Sequence, residues 1–236
     1  FIVWFRMKNL RLYNFAGYYI DNGTPSPSKN MDAGLGYIRD GKVRTVIPYF
    51  GLREVFKRLY TAVKQYGAEK NKPTMIMTHI SGEWPVAYLG FMDNRLEGEQ
   101  YAAPVRVERK LYHDLIPLDK WRAFNLSANV GSMSVFLPMF GDLDKTKTRE
   151  LMGLLMLHDM IGVWFTAGGQ ANDEAVYKMW QVQDEFGVED AKLIPYWNNE
   201  DVIAGQTEDI KASAYRKPGG GSLIVVCNLS GEPRTA

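Results

Sequence analysis

The chain is poor in several features that mark large classes of protein. Cys227 is the single cysteine among 236 residues, which excludes an internal disulfide framework and a zinc site built on cysteines. No apolar run reaches the length of about 18 residues that a membrane-spanning helix needs. The formal net charge is +1, so charge gives no reason to expect nucleic acid or an anionic membrane as a partner.

Motifs for metals, phosphates and cofactors are also missing. The sequence contains no HxH or HExxH pair for zinc, no GxSxG nucleophile motif and no glycine-rich phosphate loop ending in Lys-Ser or Lys-Thr. No glycine-rich turn joins a strand to a helix as in dinucleotide-binding folds, and PGGGS at 218–222 is a hairpin-like turn. The sequence therefore predicts no metal and no organic cofactor.

Both ends of the chain have the pattern of cuts inside a longer sequence. The chain opens at FIVWF, within an apolar run and without an initiator Met or a signal peptide, and it ends at EPRTA after a strand-like stretch. We therefore expect any targeting signal to lie on sequence beyond this chain.

Aromatic residues are plentiful. They make up 13% of the chain, with six Trp, within an otherwise ordinary globular composition of 46% hydrophobic and 23% charged residues. Such richness is typical of proteins that bind sugars or other flat-faced ligands, and it is equally typical of a large core.

Strand-like and helical segments alternate through residues 17–187. The helix predicted at 51–67 places Val55, Leu59 and Val63 at four-residue spacing, and Gly67 is its predicted end. Further strands are predicted at 17–21, 72–81, 86–94, 131–140 and 161–167, and further helices at 118–129, 144–160 and 171–187. This alternation is typical of parallel strands joined by crossover helices, so we predict an α/β protein.

Four or five such units are more than half of a (β/α)₈ barrel, which needs about 250 residues. We predict that residues 1–190 are the C-terminal portion of such a catalytic barrel, with a doubly wound sheet as the alternative. After Gly187 the segments AKLIPYW, EDVIAG, EDIKASAYRKP and GSLIVVCNLS are strand-like, and no helix lies between them. We therefore predict that residues 191–236 begin an antiparallel β-domain of the sandwich type.

The active site of a (β/α)₈ barrel lies at the carboxyl ends of its strands. Asp21 ends the apolar run that contains Tyr19, and it is followed by a long irregular loop over 21–50. The Asp-Asn-Gly sequence is also common turn chemistry, so a turn-capping Asp21 is the alternative. We predict a catalytic Asp21, with Tyr19 and Asn22 as substrate contacts.

The segment FMDNRLEGEQY at 91–101 holds three carboxylates in seven residues, Asp93, Glu97 and Glu99. In an extended segment Glu97 and Glu99 point to one side, and crowding of ionised carboxylates raises the pKa of one of them, as a general acid requires. Solvated loop acids are the alternative, which we prefer for Glu97. We predict Glu99 as general acid/base and place Asp93 and Glu97 among the substrate contacts.

Histidine and tryptophan side chains near strand ends complete the predicted substrate contacts. His79 follows the alternating MIMTH run and stands beside Ser81, and a structural His is the alternative. His158 and Asp159 lie on a helix just before the strand at 161–167. Trp84, Trp164 and Trp197 lie at or just after strand ends, where an indole stacks on a sugar ring or caps a core; Trp84 and Trp197 are the predicted stacking residues.

Two carboxylates from different strand ends, with aromatic side chains and no cofactor motif, are the arrangement that glycoside hydrolysis uses. One carboxylic acid protonates the leaving oxygen, and the other carboxylate acts as nucleophile, base or stabiliser. Glu99 and Asp21 are the residues predicted for these roles.

Several segments, taken in their order along the chain, resemble the glycoside hydrolase family 123-like proteins. They are YYID, REVFKRLYTAVKQ, TMIMTHISG, MDNRLEGEQY, LLMLHDM and LIPYWNN, and the resemblance is strongest to an uncharacterised bacterial branch. It implies an N-terminal β-sandwich, a (β/α)₈ barrel and a C-terminal β-domain, of which this chain covers the second half of the barrel and the start of the last domain. Because glycan-degrading relatives are typically exported, it also implies export.

The resemblance carries an expectation about mechanism and one departure from it. Members of family 123 are retaining β-N-acetylgalactosaminidases that use adjacent Asp and Glu residues, with the acetamido group of the substrate as nucleophile. The Asp falls on Asp21 and the Glu on Asn22, and an amide does not donate a proton as an acid does. We therefore expect either that Glu99 supplies the acid or that the barrel binds a glycan without cleaving it; a barrel enzyme of another class, such as a sugar isomerase, is a weaker alternative.

Overall fold

A computed structural model describes residues 1–82, 86–125, 131–139, 145–163, 173–230 and 232–233. The described chain divides into two compact units. The first comprises Phe1–Leu96 together with Gly131 and Ser132, and the second comprises the other described residues from Glu97 onward. The predicted division near residue 190 stays a prediction.

The first unit begins with a helix that the sequence had not indicated, α1 at Ile2–Tyr13. The other elements of this unit are β1 (Gly17–Ile20), β2 (Tyr37–Arg39), β3 (Lys42–Arg44), α2 (Tyr49–Lys70), β4 (Met75–His79) and β5 (Asn94–Glu97, whose last residue belongs to the second unit). Strands β2 and β3 form an antiparallel pair inside the predicted 21–50 loop, so part of that segment is regular.

The second unit contains short helices, one long helix pair and the remaining strands. Its elements are α3 (Ala102–Arg106), α4 (Tyr112–Leu115), α5 (Leu118–Lys120), β6 (Met133–Phe136), α6 (Lys145–Leu157), β7 (Ile161–Gly162), α7 (Asp173–Phe186), β8 (Lys192–Ile194), β9 (Ile210–Arg216) and β10 (Ser222–Asn228). The chain continues from α5 as a π-helical turn over Trp121–Asn125, and the rest of the predicted 118–129 helix lies outside the described residues.

Two kinds of sheet confirm the mixed α/β class. Strands β1, β4, β5, β6 and β7 form a five-stranded sheet in the order β1-β4-β5-β6-β7, with parallel pairing of β1 to β4, β4 to β5 and β6 to β7. Strands β8, β9 and β10 form an antiparallel sheet in the order β10-β9-β8. The change from parallel to antiparallel pairing after α7 agrees with the prediction, whereas this topology does not show a (β/α)₈ barrel.

Helix α2 shows how the apolar spacing positions the first unit. Phe56, Leu59 and Val63 are buried in a core that also contains Ile76 of β4. The predicted end at Gly67 is wrong, because the helix continues to Lys70 and ends at Asn71 in the left-handed conformation. Gly67 is required for packing instead: a Cβ atom there would lie 2.7 Å from the Thr74 side-chain oxygen.

Two predicted strands are wrong. In the 86–94 segment the structure has a 3₁₀ turn at Leu89–Phe91, and the strand begins only at Asn94. The EDVIAG segment at 200–205 contains no strand, because the backbone N–H groups of Val202 and Ile203 both donate to Asn199 in a turn. A short apolar run is compatible with a strand and equally with a turn whose side chains cover a core. The apolar pattern therefore led to two incorrect strand predictions.

Candidate functional site

The carboxyl ends of β1 and β4 bring Asp21 and His79 together. Parallel pairing sets Ile20 of β1 opposite Thr78 of β4, so the next residues, Asp21 and His79, are neighbours. The Nδ1 atom of His79 lies 3.0 Å from the Asp21 Oδ1 atom and 3.0 Å from the Tyr19 hydroxyl. Tyr19 in turn donates to Asp21 Oδ1 at 3.3 Å, because residues two apart on a strand face the same side.

Ser81 extends this group on the other side of the imidazole. Its Oγ atom lies 2.6 Å from His79 Nε2. An ionised carboxylate only accepts hydrogen bonds, so the proton shared with Asp21 belongs on Nδ1 of His79 and the Nε2 atom accepts from the Ser81 hydroxyl. The structure thus forms a continuous chain from the Ser81 hydroxyl through the imidazole to the Asp21 carboxylate.

Asp21 is kept ionised while remaining accessible. The hydrogen bond from His79 is the main cause that lowers the pKa of Asp21, and the backbone N–H of Asn22 and the Tyr19 hydroxyl lower it further. The Asp21 side chain is 62% exposed. Asn22 adopts a left-handed conformation with φ 49° and donates its side-chain amide to Asp21 Oδ2 at 3.1 Å. The Asn-for-Glu departure therefore places a hydrogen-bond donor, not an acid, beside the carboxylate.

A cavity of about 390 Å³ lies beside the end of β1 and is lined by the two neighbours of Asp21, Ile20 and Asn22, but not by Asp21 itself. Its lining includes Ile20, Asn22, Thr24 and the apolar side chains of Leu52 and Phe56. The loop that forms one wall is anchored, because the Gly23 N–H donates to the His79 carbonyl at 2.9 Å and the buried Tyr88 hydroxyl donates to the Gly23 carbonyl. Its walls are mostly apolar, and Asn22 and Thr24 are among its polar lining residues.

The sequence predicts that Glu97 and Glu99 point to one side of an extended segment. The structure differs, because the backbone is not extended between them. Glu97 ends β5 and is 4% exposed, so the preferred interpretation of a solvated loop acid is wrong for this residue. The chain then bends at Gly98, whose φ is +127°, and the exposed Glu99 begins a 3₁₀ turn. The bend results from a close approach, since a Cβ atom on Gly98 would lie 2.3 Å from the Leu137 carbonyl oxygen.

Asp93 has a different position from the one predicted. It precedes β5 and accepts from the Ile76 N–H near the beginning of β4 at 2.8 Å, so it lies near the amino ends of these parallel strands. The Lys64 ammonium group lies 2.7 Å from its other carboxylate oxygen, and Tyr60 also donates to it. These contacts join α2 to the sheet, and the substrate contact assigned to Asp93 stays a prediction.

His158 lies just beyond the end of α6 inside an aromatic enclosure. Its ring stacks at 5.7 Å on both Trp121 and Trp197, and it is 0% exposed. Nδ1 donates to the Leu154 carbonyl at 2.7 Å, and the Tyr196 hydroxyl lies 3.3 Å from Nε2. Burial lowers the pKa of His158 to about 4, so the ring is neutral and its contacts are those of a core residue.

The neighbours of His158 are more accessible than the histidine, since Asp159 is exposed and Trp197 is half-buried. Partial desolvation of the carboxyl group raises the pKa of Asp159. The indole of Trp197 stacks on the His158 ring, and the Arg122 guanidinium group lies 5.1 Å from the centroid of the indole. A sugar that stacked on Trp197 would have to bind beside these two groups. Trp84 and Trp164 lie outside the described residues. Substrate contacts for His158, Asp159 and both predicted stacking residues stay predictions.

Two further properties concern the whole described chain. Among the described residues, no group of three His, Cys, Asp or Glu side chains is arranged to hold a metal ion. No described helix has both the length and the apolar character needed to cross a bilayer.

Comparison with known proteins bears on the C-terminal part of the chain. Residues 175–235 match the family model of the glycoside hydrolase 123, C-terminal domain. The resemblance to family 123-like proteins is thereby confirmed over α7 and the antiparallel sheet β8 to β10. No curated protein and no solved structure matches the chain significantly. The match includes Trp197 and no other predicted site residue, so it supports the family without testing the roles of Asp21 or Glu99.

Sequence reasoning placed Asp21, His79 and Ser81 at strand ends but did not predict that they form one hydrogen-bonded chain. The signal was present in two spacings. His79 and Ser81 are two residues apart in an extended segment, and Tyr19 and Asp21 are likewise two apart. Only the β1–β4 register, which the sequence does not specify, joins the two pairs.

Proposed function

We propose that this protein is a glycoside hydrolase that cleaves O-glycosidic bonds of a glycan, with Asp21 as nucleophile or stabilising carboxylate and Glu99 as general acid/base. The observation that carries the proposal is the exposed, ionised carboxylate of Asp21 at the carboxyl end of β1. The family 123 C-terminal domain match supports the reaction class. The proposal includes the predicted architecture, in which the parallel strands belong to a (β/α)₈ barrel and residues 191–236 begin a C-terminal β-sandwich.

Asp21 is suited to stabilise positive charge. The transition state of glycoside hydrolysis resembles an oxocarbenium ion, and an ionised carboxylate close to it lowers its free energy. Hydrogen bonds from His79, Asn22 and Tyr19 hold the Asp21 oxygens in place. The adjacent-pair mechanism implied by the resemblance is missing its acid here, because Asn22 provides an amide.

Glu99 is the proposed source of the missing proton. It is exposed and begins a 3₁₀ turn immediately after β5. The backbone before it is held by the donation of the Gly98 N–H to the Gln100 side chain at 2.9 Å and by the close approach of Gly98 to Leu137. Asp21 and Glu99 belong to different compact units, so the proposal is tested residue by residue.

The test is hydrolysis of 4-nitrophenyl glycosides, beginning with the N-acetyl-β-D-galactosaminide that the family resemblance implies. We expect Asp21→Asn and Glu99→Gln each to lower kcat/KM by about 10²-fold or more. For Glu99→Gln the loss should shrink with a 2,4-dinitrophenyl glycoside, because that leaving group departs without protonation.

Matched controls are Asp40→Asn and Glu108→Gln, since both side chains are more than half exposed and pair only with neighbouring cations in the described chain. They should leave the rate unchanged. A native-like rate for both Asp21→Asn and Glu99→Gln would contradict the proposed roles.

The second candidate is a non-catalytic carbohydrate-binding protein, and Asn22 is the observation that favours it. An amide fixed against Asp21 by a 3.1 Å hydrogen bond orients a carboxylate for binding without supplying a catalytic proton. Calorimetry then should detect glycan binding without product, and Glu99→Gln should not change the affinity. Sugar release by the native protein that is lost in Glu99→Gln excludes this candidate.

A further inference from the structure

We propose that Ser81, His79 and Asp21 form a nucleophilic relay that hydrolyses a carboxylic ester, with Ser81 as the nucleophile. This activity is separate from cleavage of a glycosidic bond. The relay consists of the 2.6 Å contact between Ser81 Oγ and His79 Nε2 and the 3.0 Å contact between His79 Nδ1 and Asp21 Oδ1.

The two contacts assign the three roles of such a relay. A nucleophile and a base must lie within hydrogen-bond distance, and a third group must orient the base. The Asp21 carboxylate accepts from Nδ1 and so keeps the lone pair of the imidazole on Nε2, which faces the Ser81 hydroxyl. The Tyr19 hydroxyl, 3.0 Å from Nδ1 and 3.3 Å from Asp21 Oδ1, fixes this end of the relay.

The proposed base is buried, and the proposed nucleophile is partly accessible to a substrate. The base is enclosed, since the His79 side chain is 9% exposed. The nucleophile Ser81 is half-buried and precedes Gly82, whose φ is +74° in the left-handed region. Strand β4 ends at His79, and Ser81 and Gly82 belong to the turn that follows, so the serine lies at the carboxyl edge of the parallel strands, where α/β proteins bind ligands.

The reaction proceeds in two balanced steps. Ser81 Oγ bonds to the carbonyl carbon of the ester and transfers its proton to His79 Nε2; the carbon–oxygen bond to the alcohol breaks, and the imidazolium donates that proton to the departing oxygen. The oxygen of a water molecule then bonds to the acyl carbon and gives a proton to Nε2; the bond between this carbon and Ser81 Oγ breaks, and the imidazolium returns the proton to Oγ as the carboxylic acid leaves. The net reaction converts ester and water into acid and alcohol.

The relay and the proposed glycosidase share Asp21 but differ in every other reacting group. The ester reaction requires Ser81 and His79 and has no use for Glu99, whereas the glycosidase reaction requires Glu99 and has no use for Ser81. The two proposals therefore fail independently, and one pair of substitutions separates them.

The test uses the purified full chain with 4-nitrophenyl acetate as substrate and a fluorophosphonate as covalent probe. We expect a single phosphonate adduct on the peptide that contains Ser81, and ester hydrolysis that falls about 10²-fold or more in Ser81→Ala. His79→Gln should lose both adduct and hydrolysis, because the base is gone. Glu99→Gln should retain both.

The matched control is Ser222→Ala, which removes an exposed serine at the start of β10, away from the relay residues in the sequence. It should behave as the native protein does. Circular dichroism compares the fold of each variant with the native one. The proposal is overturned if folded Ser81→Ala retains native phosphonate labelling and ester hydrolysis, or if the adduct maps to another residue.

Discussion

The Nδ1 atom of His79 lies 3.0 Å from the Oδ1 atom of Asp21, across the register of two neighbouring parallel strands. This hydrogen bond is the largest cause of the lowered pKa of Asp21. It favours the ionised form of an exposed carboxylate at a position where both the proposed glycosidase and the proposed ester hydrolase use its charge.

Removal of the imidazole should raise the pKa of Asp21 toward its ordinary value. His79→Leu fills the space but donates nothing, so the ionised form of Asp21 loses its strongest stabilising contact. His79→Asn places an amide donor near the former Nδ1 position and should restore part of the lowered pKa. NMR titration of the Asp21 carboxyl carbon measures the effect, and an unchanged pKa in His79→Leu would falsify the assignment of His79 as the main cause.

Gly98→Ala should destabilise the protein by about 2 kcal/mol or more. The substitution forces a Cβ atom to within 2.3 Å of the Leu137 carbonyl oxygen, at a φ of +127° that L residues rarely adopt. Urea unfolding measures the change in the free energy of unfolding. Gly90→Ala is the matched control, because a Cβ atom there meets nothing within 4 Å, and it should change stability by less than about 0.5 kcal/mol. Equal effects of the two substitutions would contradict the packing explanation.

His158 should make stability fall as the pH decreases below its ordinary pKa of 6.5. Burial lowers the folded-state pKa to about 4, so the unfolded chain binds a proton over this interval and the folded chain does not. The contribution is complete above pH 6.5 and is lost progressively toward pH 4, on the order of 3 kcal/mol in total.

His158→Phe retains a ring between the two indoles and removes the titrating group. The slope of unfolding free energy against pH between 4 and 6.5 should become shallower in this variant, whatever its stability at neutral pH. Urea unfolding at a series of pH values measures the slope, and an unchanged slope would argue against a buried neutral imidazole.

His113 should act with the opposite sign. Its Nδ1 atom lies 2.9 Å from Glu150 Oε1, and this hydrogen bond is the main cause of a raised pKa. The stabilisation is complete below the ordinary value of 6.5 and is lost as the pH rises through the raised folded-state pKa. Denaturant unfolding from pH 6 to pH 9 should therefore show a decrease that disappears in His113→Asn.

Glu150→Gln is the companion variant. The Tyr112 N–H donates to Oε2 of Glu150 at 3.1 Å and the His113 N–H donates to Oε1 at 2.7 Å, so the glutamine keeps an oxygen acceptor for one of these groups and removes the charge. The pH-dependent decrease should disappear in this variant as well. If it persists in both variants, another group causes it.

Much of the local structure could be predicted from apolar spacing. The buried positions Leu59 and Val63 of α2, the β1 and β4 strands and the antiparallel strands after α7 were apparent in the sequence. The boundaries of strands were less predictable where a short apolar run is compatible with either a strand or a turn. The segment before Asp93 is apolar because it covers a core, and it does so as a 3₁₀ turn instead of a strand.

For the carboxylates too, the sequence shows which residues are present, and only the structure shows where they lie. The sequence identified Asp93, Glu97 and Glu99 as a cluster, whereas the structure gives each different surroundings. Asp93 pairs with Lys64 near the start of β4, Glu97 is buried, and Glu99 is exposed in the turn that follows the bend at Gly98. Side chains two residues apart point to the same side only if the backbone between them is extended.

The sequence by itself determined which residue types stand at strand ends, the absence of metal and cofactor motifs, and the resemblance that the match over 175–235 confirmed. Tertiary structure alone decided which of these residues meet. Asp21 and His79 are 58 positions apart and become neighbours because β1 and β4 pair in parallel with Ile20 opposite Thr78. Local propensity acts over a few residues, while strand register results from the packing of a whole face, and that register creates the Ser81–His79–Asp21 relay.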